Sequence, residues 1–389
     1  MLRIGRCMAK ILILTSETGG GHVSLAEAYR DLLECEHEVE IVDPQPTYIR
    51  WYYRIVSRHA LWFWCATFRL TDHPRRIRQA HRLLASALAN RLADSLTRSQ
   101  PDLVVTVHPF LTHEAMRALE KLPRPIPLVM TYTEAMHLHA AWLTERNAAA
   151  HFAPTPDVYA QARTAGIADN RLHLSGWPVR RQFYDVRGAD RAETLMRLGL
   201  DPARFTVFLQ GGGEGAGRFA QTMNHLRRLT ERLPLQFILA AGTNQAVLKR
   251  FSDCRHVRAL PFTREIAPYM AAADVIMGKP GAAVLFESIM LGKPFVASAM
   301  IPGQEEGNLS FIEQHNIGWR AMTARAQYEL LEQLVIDPDS IRQQIANVCA
   351  YRQRNMDMTA RIPELVRSVM RQVQEDLSPC LAFSVLTVT

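Results

Sequence analysis

The feature that most constrains the fold is a pattern that occurs twice along the chain. A short apolar segment is followed by three consecutive glycines and then by a segment with apolar residues at helical spacing. The apolar segments are residues 10–15 and 205–209, and the glycines are residues 19–21 and 211–213. Further apolar segments alternate with helical ones in both halves, which predicts βαβ units and parallel sheets. We therefore expect an α/β protein with two Rossmann-like parallel-sheet domains.

The composition is that of a folded protein with room for two domains. The chain has 389 residues, of which 48% are hydrophobic and 21% are charged. The pattern breaks at residues 176–188, which we interpret as the linker. The six cysteines lack paired spacing, which is typical of a reducing compartment. No apolar run approaches the roughly 18 residues of a transmembrane helix, and the start does not resemble a signal peptide.

The positive charge is concentrated in residues 48–82. The whole chain has a formal net charge of +7, and this segment alone has eight arginines, one acidic residue and eight aromatic residues. Arginine attracts anionic head groups, and Trp and Tyr favour the membrane interface. The alternatives are aromatic residues buried in the core beneath solvated arginines, and nucleic-acid binding, for which no motif is present. The residues expected to contact a membrane are Arg50, Trp51, Arg54, Arg58, Trp62 and Trp64.

Polar residues follow the predicted strands of the first half. Three glycines precede His22, and glycine permits close backbone approach to a ligand as well as φ values barred to other residues. His22 lies at the start of the predicted helix, where a histidine can act as a general base or contact a diphosphate. His108, Glu134 and His139 follow later strands and could line the same cleft. An ordinary buried or solvent-exposed polar residue is the alternative for each.

The most specific motif lies in residues 278–308. A glycine turn at Gly281 opens a predicted helix, and a helix N-terminus offers unpaired N–H groups and a positive dipole end to a phosphate. Glu287 lies nearly two turns into that helix and could reach a ribose hydroxyl. Gln304 and Glu305 follow the next strand, at the sheet edge where open α/β sheets bind ligands. The motif predicts a site for a nucleotide diphosphate that carries a polar group such as a sugar.

Together these motifs resemble those of monogalactosyldiacylglycerol synthases and the related processive diacylglycerol glucosyltransferases. The resemblance is carried by Thr-Gly-Gly-Gly-His near the start, Gly-Gly-Gly-Glu-Gly in the middle and Lys-Pro-Gly, Glu and Pro-Gly-Gln-Glu-Glu-Gly-Asn late in the chain. Val-His-Pro at residues 107–109 and Gly-Trp-Pro-Val at residues 176–179 add to it. More distantly, the chain is similar to the lipid-linked N-acetylglucosamine transferase of cell-wall synthesis.

The resemblance implies a GT-B fold and assigns roles to three parts of the chain. Residues 1–178 are expected to bind the acceptor, residues 190–360 to bind the UDP-sugar, and residues 361–378 to form a helix that crosses back to the N-terminal domain. His22 and Glu134 become the candidate catalytic residues. The residues expected to contact donor or acceptor are Gly20, Gly21, His108, His139, Gly212, Gly213, Phe262, Arg264, Gly281, Ala282, Ala283, Glu287, Gln304, Glu305 and Asn308.

The implied reaction is an inverting transfer of a hexose from a UDP-sugar to a lipid such as diacylglycerol, without a metal. The expected partners are the UDP-sugar, the lipid acceptor and an anionic membrane surface, with no nucleic acid. The expected location is the cytoplasm, peripheral to the inner face of the cell membrane. The chain departs from the family pattern at Ala282, Val284 and Glu134, where the family has glycine, threonine and aspartate. Val284 thereby lacks a hydroxyl contact to phosphate.

Two other functions remain open on the sequence. One is an isomerase or hydrolase of UDP-sugars on the same scaffold, and the other is a non-catalytic, basic protein that binds membranes or nucleic acid. The residue types do not decide between UDP-galactose and UDP-glucose, and they do not give the oligomeric state.

Overall fold

The computed structural model describes residues 8–17, 20–48, 56, 61–186, 190–211 and 218–385. The chain divides into two compact units. The first unit contains the described residues up to 178, apart from 20–21, and those from 355 onward. The second unit contains residues 20–21 and 179–354.

The first unit is built on a parallel sheet of six strands in the order β2-β1-β3-β4-β5-β6. Its central strands β3, β4 and β5 are mostly apolar and are buried along their length, as expected for strands covered on both faces. The strands are β1 Lys10–Leu14, β2 Glu38–Val42, β3 Leu103–Thr106, β4 Leu128–Thr131, β5 Ala150–Ala153 and β6 Leu172–Leu174.

The second unit contains a second six-stranded parallel sheet, in the order β12-β11-β10-β7-β8-β9. The strands are β7 Phe205–Gln210, β8 Leu235–Gly242, β9 Val257–Pro261, β10 Val275–Gly278, β11 Phe295–Ala297 and β12 Gly318–Arg320. The prediction of two Rossmann-like parallel sheets is confirmed. Each sheet reverses its strand order, and such a reversal creates a ligand crevice at the carboxyl ends of the strands.

Helices connect the strands of both sheets. Up to residue 178 they are α1 Gly20–Leu33, α2 Leu61–Thr71, α3 Pro74–Ser99, α4 Thr112–Leu119 and α5 Pro156–Thr164. Those that follow are α6 Gln182–Asp185, α7 Arg191–Arg197, α8 Arg218–Leu226, α9 Leu229–Arg232, α10 Gln245–Phe251, α11 Ala267–Ala271, α12 Ala282–Met290, α13 Glu306–Gln314, α14 Ala324–Ile336, α15 Arg342–Thr359 and α16 Ile362–Val385.

Local sequence explains where helices begin and end, and apolar side chains form the core of each unit. For example, α5 begins at Pro156 because the Thr155 side chain accepts from the Val158 N–H, and it is followed by Gly166 with φ +89°. Each unit has its own apolar core, centred on residues such as Trp142 and Phe237. The carboxyl-terminal segment joins the first unit through Asn355, whose side chain bonds both the N–H and the C=O of Trp177, at 2.8 and 2.9 Å.

Candidate active site

The carboxyl edge of the first sheet brings together residues that are far apart in sequence. Strands β1, β3 and β4 are neighbours, and His22, His108 and Glu134 follow their carboxyl ends. The chain distance between His22 and the carbonyl it binds is 85 residues. The sheet order therefore assembles the polar group that the sequence predicted for this edge.

His22 is held in one tautomer. Its Nδ1 donates to the Val107 carbonyl oxygen at 2.8 Å, because a carbonyl can only accept. The ring proton is therefore on Nδ1, and Nε2 keeps the lone pair that can accept a proton. Loss of water around the imidazole lowers its pKa to about 4, opposed by the Val107 bond. His22 is consequently neutral near pH 7.

His108 lies beside His22. The two ring centroids are 4.6 Å apart at an angle of 64°. The Nδ1 of His108 accepts from the Phe110 N–H at 3.3 Å, which places the proton of the neutral ring on Nε2. Burial, followed by repulsion from His22, lowers the pKa of His108 well below its ordinary value. The pair therefore resists protonation, since a charge on one ring disfavours a charge on the other.

Glu134 is the acidic residue of this edge. Burial raises its pKa to about 8, and the charge of Asp72 adds to the rise while the indole of Trp142 opposes it. The carboxyl group therefore carries its proton near pH 7. In that form it can donate a hydrogen bond, whereas a general base must be unprotonated. The structure thus separates the two candidate catalytic residues by protonation state.

His139 has contacts with the protein at both ring nitrogens. Its Nδ1 accepts from the Ala141 N–H at 3.1 Å, and its Nε2 donates to the Phe68 carbonyl oxygen at 3.3 Å. Its ring also packs on the Phe68 ring at 4.5 Å. These contacts fix α2 to the loop after β4, and the substrate contact expected for His139 stays a prediction.

Gly20 and Gly21 form the first turn of α1 rather than a loop. Neither glycine has a positive φ. Their backbone conformation therefore does not require glycine, and close approach of a ligand to the backbone is the remaining reason for glycine at these positions. A Cβ added to Gly20 would meet no atom within 4 Å, which leaves the start of this helix open.

In the second unit, α12 begins at the glycine turn that the sequence predicted. Gly281 is the N-cap residue and provides no side-chain cap, and the first intrahelical bond runs from Leu285 N–H to Gly281 O. The amides of Ala282, Ala283 and Val284 precede that bond. An uncapped first turn of this kind suits an anion, because its N–H groups and the helix dipole both favour negative charge.

The turn before α12 is fixed by two side-chain amides. Gln210 Nε2 donates to the Lys279 carbonyl oxygen at 2.8 Å, and Asn308 Nδ2 donates to the Pro280 carbonyl oxygen at 2.9 Å. Gly278 has φ +149°, and a Cβ there would lie 2.3 Å from the Gln210 carbonyl oxygen, so glycine is required. Asn308, expected to contact substrate, has this contact to the turn in the structure.

Glu305 is buried and makes two contacts. Its Oε1 lies 2.9 Å from Lys279 Nζ, and its Oε2 accepts from the Ile301 N–H at 2.7 Å. Glu287, on α12, is also buried and forms an ion pair with Arg180, with Oε1 3.0 Å from Nη2. Both predicted sugar-nucleotide ligands are therefore held by a cation. Their contacts to a sugar or ribose hydroxyl stay predictions.

The other residues predicted to contact the donor are only partly described by the structure. Phe262 is 63% exposed and Arg264 is exposed, while the Arg264 carbonyl oxygen accepts from Gln182 Nε2 at 2.8 Å. Gln304 is half-buried. Gly212 and Gly213 lie outside the described residues.

The basic aromatic segment exposes apolar side chains on α2. Trp62, Phe63 and Leu70 are 75%, 38% and 53% exposed, and Arg69 on the same helix is also exposed. The acidic residue of the segment, Asp72, is bound by the Ala140 N–H and by His137. The alternative prediction that these aromatic residues are buried in the core is therefore wrong for Trp62 and Phe63. Arg50, Trp51, Arg54, Arg58 and the side chain of Trp64 lie outside the described residues.

The described part of the chain contains neither a metal-binding cluster nor a membrane-spanning helix. No group of three or more His, Cys, Asp or Glu side chains there is arranged to hold a metal ion. Of the helices described, none combines the length and apolar character needed to cross a membrane.

Sequence reasoning missed Lys279, Gln210 and Arg180. Lys279 lies inside the recognised glycine turn, so its position was a usable signal. Arg180 directly follows the Gly-Trp-Pro-Val motif, but its partner Glu287 is 107 residues away. The Gln210 contact to the turn likewise depends on the pairing of β7 with β10.

Comparisons with known proteins agree with this geometry. Residues 34–179 match the family model for monogalactosyldiacylglycerol (MGDG) synthase, and residues 206–373 match the glycosyltransferase family 28 C-terminal domain. A probable MGDG synthase 2 of Oryza sativa subsp. indica is 28% identical over 334 residues, which cover 79% of this chain and 70% of the relative.

Solved structures share the fold. The calicheamicin glycosyltransferase CalG4 superposes with a TM-score of 0.63 at 14% identity, covering 94% of this chain and 99% of that one. A UDP-GlcNAc 2-epimerase from Neisseria meningitidis gives a TM-score of 0.61 at 14% identity, covering 93% and 100%. At this identity the likeness shows the fold alone.

The fold and the matched domains define a GT-B glycosyltransferase, a hexosyltransferase that uses a nucleotide-sugar donor. More particularly, residues 34–179 match the MGDG synthase domain, residues 206–373 match the glycosyltransferase family 28 C-terminal domain, and the curated relative named above is a probable MGDG synthase.

Proposed function

We propose that this enzyme transfers a hexose from a UDP-hexose to the free hydroxyl of diacylglycerol, with inversion at the anomeric carbon. The observation that carries the proposal is the match of residues 34–179 to the MGDG synthase model. That match separates the chain from the epimerase of the same fold.

The donor side of the proposal rests on α12 and the residues around it. The negative charge that develops on UDP is stabilised by the amides after Gly281, which are fixed before the reaction and require no reorganisation. Glu287 binds the ribose, and Gln304 and Glu305 bind the hexose. Phe262 and Arg264 frame the uracil. The amides after Gly281 stabilise the leaving group without a metal.

The acceptor side depends on His22. Its bond to Val107 leaves Nε2 as the proton acceptor, and its low pKa keeps it unprotonated at working pH. The acceptor hydroxyl attacks the anomeric carbon as Nε2 removes its proton. Glu134, which carries its own proton near pH 7, donates a hydrogen bond to a substrate oxygen.

Membrane contact occurs through the surface of α2 and the start of α3. Trp62, Phe63 and Leu70 supply apolar area, and Arg69 together with the exposed arginines of α3 attracts anionic lipids. The enzyme is peripheral on the inner face of the cell membrane, and nucleic acid is not a partner.

The test uses the full chain with vesicles that contain diacylglycerol and anionic lipid. Radiolabelled UDP-galactose and UDP-glucose are supplied separately, and the products are resolved by chromatography. We expect the label in a lipid-soluble product, whose anomeric configuration, measured by NMR, is opposite to that of the donor. Free hexose or an epimerised nucleotide sugar as the main product would instead support the hydrolase or isomerase. Retention of configuration would contradict the inverting mechanism.

A further inference from the structure

We propose that Lys279 is a ligand of the donor diphosphate and that its ion pair with Glu305 links the diphosphate subsite to the hexose subsite. This inference rests on the proposed function, in which the diphosphate lies at the start of α12 and the hexose lies near Glu305. It adds a side-chain cation to a site otherwise made of main-chain donors.

The position of the ammonium group is the first argument. Lys279 Nζ lies 2.9 Å from Glu305 Oε1. The same oxygen lies 3.7 Å from the position that a Cβ on Gly281 would occupy. The ammonium, the carboxylate and the N-cap of α12 therefore share one small region. The Lys279 backbone is fixed there, because its carbonyl oxygen accepts from Gln210 Nε2 and from the Gly281 N–H.

Charge is the second argument. Glu305 is buried, with its side chain 5% exposed, and it lies beside the turn that receives the diphosphate. A diphosphate next to a buried carboxylate would be repelled unless a cation lay between them. Lys279 supplies that cation and lets the hexose ligand and the phosphate site occupy neighbouring positions.

Hydrogen-bonding capacity is the third argument. An ammonium group carries three N–H donors, and Glu305 is the partner that the described structure gives to the Lys279 ammonium. The Lys279 side chain is 30% exposed, so its remaining donors can reach a ligand. Val284 has no hydroxyl, and the amides of Gln210 and Asn308 donate to carbonyl oxygens of the turn. Lys279 therefore supplies a charged side-chain donor there.

The test compares a ligand that has phosphates with one that has none. Calorimetry or NMR titration measures the dissociation constants of UDP and uridine for the wild-type enzyme, Lys279→Met and Lys279→Arg. We expect Lys279→Met to raise the dissociation constant of UDP about 10-fold to 100-fold, the effect of losing a charge-assisted hydrogen bond. The dissociation constant of uridine should change less than about threefold in Lys279→Met. Lys279→Arg keeps a cation and should retain much of the wild-type UDP affinity.

If Lys279 served only to neutralise Glu305, its substitution would not selectively weaken the binding of UDP. Because Lys279→Met leaves the buried Glu305 carboxylate without its cation, Lys279→Met/Glu305→Gln is measured as well, and it should show the same selective loss of UDP. Equal weakening of UDP and uridine in both variants, or unchanged UDP affinity, would overturn the proposal. A wild-type enzyme that binds UDP but makes no lipid-linked hexose would overturn the proposed function alone, and one that does not bind UDP would overturn both.

Discussion

The carboxyl edges of the two sheets differ in the charge state of their buried ionisable side chains. At the edge of the first sheet, burial lowers the pKa of His22 to about 4 and raises that of Glu134 to about 8, so both are uncharged near pH 7. At the edge of the second sheet, two buried carboxylates are ionically paired, Glu305 with Lys279 and Glu287 with Arg180.

This difference matches the two halves of a displacement reaction. An acceptor hydroxyl is neutral, and a neutral imidazole removes its proton without first having to lose one of its own. The departing diphosphate is an anion, and it requires donors and cations that are already in place. The proposed function therefore assigns proton transfer to the desolvated edge and stabilisation of the leaving group to the charged edge.

The largest expected effect comes from removing the neutral base. His22→Ala should lower kcat about 100-fold or more, the size expected for loss of a general base. UDP affinity should change little, because His22 acts on the acceptor. The measurement is the initial rate of lipid-linked hexose formation, together with calorimetry. His256→Ala, at the amino-terminal end of β9, is the control. A rate like that of the wild type would remove His22 from the mechanism.

A pair of glycines tests the charged edge. Gly278→Ala should destabilise the fold by about 2 kcal/mol or more, since the methyl group meets the Gln210 carbonyl at a positive φ. Gly281 has φ −61°, and an added Cβ would make only ordinary contacts, the nearest atom being Glu305 Oε1 at 3.7 Å. The urea midpoint of Gly281→Ala should therefore stay unchanged, while UDP binding weakens about 10-fold through restricted backbone approach. If Gly281→Ala keeps full UDP affinity, the ligand does not approach the N-cap closely.

The protonation of Glu134 can be tested through pH. Because the folded pKa of about 8 exceeds the ordinary 4.5, the native state retains a proton that the unfolded state loses. This group therefore lowers stability progressively as pH rises from about 4.5 to about 8. Glu134→Gln should lack that loss, and its advantage in urea unfolding should grow over this range. Its rate at pH 7 should stay within about threefold of the wild type. A much larger loss would make Glu134 the base instead.

The smallest expected effect concerns the exposed aromatic surface. Trp62→Ala should weaken binding to anionic vesicles a few-fold, about 1 kcal/mol, in a sedimentation assay. Met196→Ala is the control, because Met196 is also an exposed apolar residue, at 60%, but lies on α7 of the second unit. Equal effects of the two substitutions would mean that α2 has no special role in membrane contact.

The sequence was most informative where a local pattern suffices. The apolar segments 10–15 and 205–209 were expected as strands, and they form β1 Lys10–Leu14 and β7 Phe205–Gln210, with ends within one residue of the expected ones. The start of α12 followed from the glycine turn, and the order of strands and helices followed from alternating apolar periodicity. The roles of His22, Glu134 and the donor ligands stay predictions.

Contacts that decide the chemistry were not visible in the sequence. The Lys279–Glu305 pair spans 26 residues and the Arg180–Glu287 pair spans 107. Gln304, Glu305 and Asn308 were assigned together as substrate ligands from one motif, yet Asn308 binds the Pro280 carbonyl and Glu305 binds a lysine. Residue type alone does not show which polar group faces a ligand and which supports a turn.

The amino-acid sequence by itself determined the α/β class, the glycine turn before α12 and the resemblance to MGDG synthases, because periodicity and short motifs are local properties of the chain. The tertiary structure decided the charge state of each edge, because a pKa depends on burial and on neighbours that parallel strand pairing brings from distant segments. It also fixed the tautomer of His22, which is set by a carbonyl 85 residues away.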